Sequence, residues 1–242
     1  MSVRTALDTL RADLRRVFGS RLQCLVLYGV HVDTYATAGD PPSAPPPAHT
    51  LALVDTVGFA DLQACASLGA TWRDKGLAIP LLLGSAEFAR SLDAFPLEYG
   101  DIIIRHVVLE GHDPFSDIRI HHDDVRRACE VQAKSHLIHL REGYLEAAGD
   151  AVRVRQLIAA SASPFRTLLV NVARLRQLVD SPTTDAIVAD CQRAADLDPA
   201  TVRRVITMRA PGDIPPADAL TLYPRYLAAV EKLVAYVDGW RA

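Results

Sequence analysis

The spacing of apolar residues changes its period about half-way along the chain. From residue 2 to 18 the apolar positions Val3, Leu7, Leu10, Leu14 and Val17 recur three to four apart, and Gly19 follows as a stop. That spacing predicts a helix. Residues 22–28 (Leu-Gln-Cys-Leu-Val-Leu-Tyr) and 49–55 (His-Thr-Leu-Ala-Leu-Val-Asp) are short, nearly continuous apolar runs of the kind that form buried strands. Between them, the segment from Asp33 to Pro47 holds Gly39, Asp40 and the prolines of a Pro-rich stretch over 38–48, and predicts a long exposed loop. Helical spacing returns over 60–72 through Leu62, Cys65, Leu68 and Trp72. Residues 77–84 read as a third strand, which Pro80 assigns to a sheet edge or a bulge. Ser85 caps a short helix to Leu92. The β-branched stretch 95–109 predicts strand over part of its length, ending in a turn over 110–114.

Beyond residue 120 the helical period takes over. Helices are predicted over 122–148, with Val125, Ala128, Val131, Leu137, Leu140 and Tyr144 as the apolar face, and over 150–179 with a kink at Pro164. Three more follow over 183–196, 198–209 and 216–240, completing a bundle of about five. The expected fold class is α+β: a mixed β-sheet domain over 1–118, then an all-α bundle domain over 119–242.

Composition narrows the partners. Against 29 acidic residues the chain has 26 basic ones, a formal net charge of −3 spread along its length, which argues against a nucleic-acid partner. The four cysteines lie far apart with no C-x-x-C pair, so reduced thiols in a cytoplasmic protein are expected in place of a disulfide framework or a zinc site. No uninterrupted apolar run is long enough to span a bilayer, and no membrane partner is expected. Amphipathic helices in the second half leave open a homodimer.

The first two strands carry a resemblance. Val26-Leu27-Tyr28-Gly29 is similar to the strand that enters the Gly-Ser turn of the DNA polymerase beta-like nucleotidyltransferase superfamily, and Thr50-Leu51-Ala52-Leu53-Val54 resembles its second, metal-binding strand. The segment from Ser91 to Pro114 looks like that of a little-characterised bacterial branch, and the second half resembles the helical C-terminal domain of aminoglycoside nucleotidyltransferases. The resemblance implies a Gly-Ser phosphate cradle, an Asp-x-Asp pair and a third carboxylate that together hold two Mg²⁺ ions. In this chain Gly29 is kept, Val30 replaces the serine, His49 and Leu51 stand where the aspartates are expected, and residues 77–83 are wholly apolar.

A degenerate site of this kind implies a catalytically inactive binding or regulatory module. Its interdomain cleft would bind a nucleotide or another small ligand at Gly29, Val30, His49, Leu51 and Glu98, with no catalytic residue, no bound metal and no cofactor. The alternatives are an active Mg²⁺-dependent enzyme with ligands drawn from Asp33, Asp40, Asp55, Glu98 or Asp101, and a purely structural interaction protein. Glu98 stands out as a carboxylate in what reads as an apolar strand. His106, His112, His121 and His122 lack the spacing of a metal-binding pair, and the arginines from Arg153 to Arg176 read as a solvated face.

Overall fold

The computed structural model describes residues 2–37, 46–176 and 183–240. The chain forms two compact units, Met1–Ile120 and His121–Ala242.

The first unit is built on a four-stranded mixed sheet: β1 (Leu22–Tyr28), β2 (His49–Val54), β3 (Leu81–Gly84) and β4 (His106–Gly111), in the order β3-β2-β1-β4. β1 runs antiparallel to both neighbours, while β2 and β3 are parallel. Alternation sends successive side chains to opposite faces. Leu25, Leu27, Ala52 and Val54 join Leu7, Leu10 and Leu14 of α1 (Val3–Phe18) and Trp72 in one cluster. Cys24, Val26, Leu51 and Leu53 join Phe88, Tyr99, Ile102 and Phe115 in another. Apolar side chains cover both faces, and the strands carry their polar side chains near their ends.

α1 begins where Ser2 Oγ accepts the Thr5 N–H and stops at Gly19, whose φ of 56° suits glycine. Several expected elements are redrawn. The loop expected from Asp33 onward is preceded by a short helix, α2 (His31–Thr37), because the chain breakers begin only at Gly39; residues 38–45 of the Pro-rich stretch, Asp40 among them, lie outside the described residues. The helix expected over 60–72 is two, α3 (Phe59–Ala66) and α4 (Gly69–Asp74), interrupted before Gly69. Pro80 precedes β3, an edge strand, and Gly84, not Ser85, is the N-cap of α5 (Ser85–Ser91). Most of the strand expected over 95–109 is α6 (Pro96–Ile104): Pro96 opens it, and Pro96, Tyr99 and Ile102 are buried at a helical spacing of three. Strand begins only at His106.

The second unit contains, among its described residues, α7 (His122–Ala147), α8 (Ala151–Leu175), α9 (Thr184–Ala195), α10 (Pro199–Ile206) and α11 (Pro216–Gly239). α8 continues through Pro164 to Leu175, and residues 177–182 are outside the described set. The apolar face of α7 keeps Leu137 and Leu140 as expected but not Val131 or Tyr144. Its buried residues are Cys129, Ala133, Leu137, Leu140 and Ala147, whereas Val131, Ile138 and Leu145 are 69%, 51% and 78% exposed. Close packing accounts for the choice of small side chains: a Cβ on Gly143 would lie 2.5 Å from Leu157 Cδ1 of α8.

Candidate functional site

The registers of the sheet bring three ring side chains into one row. Tyr28 is paired with His49 on β2 and with His106 on β4, so the three residues lie abreast at the end of β1 and project to one face. Tyr28 and His49 have ring centroids 5.8 Å apart. His106 meets Phe115 edge-on at 4.8 Å. Burial pushes the Tyr28 phenol above its ordinary range, so at neutral pH it stays protonated and able to donate.

The orientation of His106 is set by two contacts. Its Nδ1 lies 2.9 Å from the Ile103 carbonyl, which can only accept, so this nitrogen carries a proton. Nε2 faces Asp113 Oδ1 at 3.4 Å, a contact that becomes an ion pair only when the ring is charged. The Asp113 carboxylate is itself held by the Phe115 N–H at 2.8 Å. At the same end, Gly29 turns the chain with φ 80°, the Gly29 N–H donates to the Arg105 carbonyl at 3.3 Å, and Arg105 pairs with Asp33. His31 is buried and hydrogen-bonds the Pro46 carbonyl at 2.6 Å.

Of the residues singled out from sequence, Gly29, Val30 and His49 share this end of the sheet, and Val30 and His49 are exposed. Leu51 is on the His49 face but fully buried within the cluster of Phe88, Tyr99, Ile102 and Phe115. Glu98 is not in a strand: it is an exposed carboxylate in the first turn of α6, where a negative charge complements the helix dipole. Asp55 accepts from Gln23 Nε2 just beyond β2. Among the described residues, no group of three His, Cys, Asp or Glu side chains is placed to hold a metal ion. His122 instead bonds the Leu175 carbonyl and lies edge-on to Trp240.

The residues at the expected metal positions do not fit magnesium. This hard cation takes oxygen ligands, whereas His49 offers an imidazole nitrogen and Leu51 a buried isobutyl group. What the row does offer is hydrogen-bonding edges and aromatic faces. Sequence reasoning missed Tyr28 and His106 as its members. The β1–β2 hairpin reading could have delivered Tyr28, but His106 required the pairing of β4 with β1 across most of the unit.

No protein-family model matches the chain, and no curated protein matches it by sequence. Among solved structures it is similar to a spectinomycin adenyltransferase from Enterococcus faecialis, solved with ATP and spectinomycin. The match has 10% identity and a TM-score of 0.48, and covers 98% of this chain and 100% of that one. At that level the likeness carries no residue correspondence, and function must be argued from this chain's own geometry.

Proposed function

We propose that the first unit is a nucleotidyltransferase-like module, assigned to residues 1–118, that binds a small ligand at the His49–Tyr28–His106 end of its sheet and does not catalyse metal-dependent nucleotidyl transfer. The observation that carries this reading is Leu51. The resemblance calls for a carboxylate there, and the side chain present is part of the apolar core, with Phe88, Tyr99, Ile102 and Phe115 in the same cluster. Replacing the carboxylates removes the positioning and charge stabilisation on which phosphoryl transfer depends. The ring row, with an exposed imidazole beside a protonated phenol, suits a flat heterocycle such as a nucleotide base, through stacking and hydrogen bonds.

The test is thermal stabilisation of the full chain by the four nucleoside triphosphates, each with and without Mg²⁺, alongside an assay for pyrophosphate release. The expected result is a magnesium-independent rise in Tm that His49→Ala diminishes, because a ligand bound only by the folded state raises the midpoint. Magnesium-dependent turnover abolished by Glu98→Gln or Asp55→Asn would establish an active enzyme with rearranged ligands instead. No shift across the panel would remove the nucleotide part of the reading.

A further inference from the structure

On the other side of the sheet, away from the ring row, a cavity of about 350 Å³ opens between α1, α3, α4 and β3. Its size lies in the range of small-molecule sites. Leu14 and Trp72, each 1% exposed, and Leu82 supply apolar lining, while Leu62 and Ile79 stand half-exposed at the margin. Burial pushes the Cys65 thiol up, with the Asp61 charge adding to the shift, so this wall is neutral as well.

Two residues of α4 give the cavity its character. Gly69 lets Ile79 approach closely: a Cβ there would stand 3.2 Å from Ile79 Cδ1, tighter than ordinary contact, and 3.7 Å from Arg73 Nη1. Arg73, one turn later, lies back over the missing side chain, as a helical side chain covers the turn N-terminal to itself. It is the single charged residue of the lining, and it makes no ion pair among the described residues. Neighbouring acids are committed elsewhere. Asp61 is held bidentately by Arg21 at 2.7 and 3.0 Å, and Asp13 accepts from Trp72 Nε1 at 3.0 Å and from Arg16 at 2.7 Å. Asp74 is adjacent in sequence and so faces another side of the helix.

We propose that this cavity binds a medium-chain alkyl carboxylate, its chain against Leu14, Trp72 and Leu82 and its carboxylate on the Arg73 guanidinium. One planar guanidinium matches one carboxylate through two parallel hydrogen bonds. A phosphate dianion would call for further donors, and the lining supplies no second cation.

The experiment is calorimetric titration of the full chain with octanoate, octanol and octylammonium, all below their aggregation concentrations, with the Tm of each variant as a check on folding. Octanoate should bind one to one, at least tenfold more tightly than octanol, and octylammonium should not bind. Arg73→Gln, a change at an exposed side chain, should bring octanoate down to the octanol level and leave octanol unchanged. Gly69→Leu should push a side chain against Ile79 at the cavity wall and abolish both. Failure of octanoate to bind, equal affinity for octanoate and octanol, or octanoate binding unchanged by Arg73→Gln would each overturn the proposal.

Discussion

The two units place their titratable groups in different surroundings. In the α+β unit the apolar clusters flank the sheet, and its ionisable partners collect at edges: the ring row at the strand ends, and the Arg21–Asp61 pair at the start of α3. In the helical unit some lie inside, while others form surface pairs such as Lys134–Asp238 and Arg204–Asp218. His136 stacks on Phe165 at 5.6 Å with its Nε2 2.7 Å from the Tyr226 hydroxyl, and Tyr226 is fully buried. Asp190, 5% exposed, is held by Arg176 at 2.5 Å. The strands of the sheet carry their polar ring side chains at their ends, where ligands can reach them. The bundle takes a few into its core, where His136–Tyr226 and Arg176–Asp190 are partners that serve the fold.

The strongest way to break this contrast is to put a charge into the sheet's core. Leu51→Asp should destabilise the α+β unit by about 4 kcal/mol, because the carboxylate meets only apolar neighbours. His49→Asp, two residues away and exposed, should stay within about 0.5 kcal/mol of wild type. Urea unfolding of the two variants checks both.

Next in size is a difference in acid response. Burial, with the nearby His139 charge adding to it, holds His136 down to about 4 from the ordinary 6.5. Between those values the unfolded chain binds a proton that the folded chain refuses. Stability of the helical unit should therefore fall as pH drops from 6.5 to 4, by up to about 3 kcal/mol. Asp61, held down to about 2 chiefly by its hydrogen bond from Arg21, supports the α+β unit above its unfolded value of 3.8; that contribution is lost only as pH falls from 3.8 through 2. Each unit contains one of the two tryptophans, Trp72 and Trp240. Fluorescence melts of Trp72→Phe and Trp240→Phe proteins follow the two units separately, and coincident acid profiles would erase the distinction.

Gly111→Ala should cost about 2 kcal/mol in the α+β unit, since φ is 77° and a Cβ would sit 1.9 Å from the Gln23 carbonyl oxygen. The smallest effect tests the phase of α7. Val131→Lys should change stability by less than about 0.5 kcal/mol, whereas Cys129→Lys should unfold the bundle, as read by denaturant midpoints.

These contrasts also mark what the sequence could disclose. β1, β2 and the five helices of the second half were legible because long apolar runs and sustained periods leave little choice. α6 was not, since Ile102, Ile103 and Ile104 favour strands as residues while Pro96, Tyr99 and Ile102 keep a helical spacing, and tertiary burial decided between them. The face of α7 was legible at Leu137 and Leu140 and misread at Val131, where bulk suggested burial and the small residues Cys129 and Ala133 are buried instead. The site was half legible for a related reason. His49 and Leu51 can be read off the chain as non-carboxylates, but the row in which His49 stands is created by a strand register that no local pattern encodes.

The burial of Leu51 also gives the chain a direction. An aspartate at 51 would enter a space already closed by Phe88, Tyr99 and Ile102, so a metal site there requires that core to be dismantled first. A carboxylate introduced at 51 alone would be buried among apolar side chains with nothing to pair it. The apolar cluster acts as a lock: it leaves room for change at the exposed rim, where Val30 stands, and closes position 51 to a charged side chain.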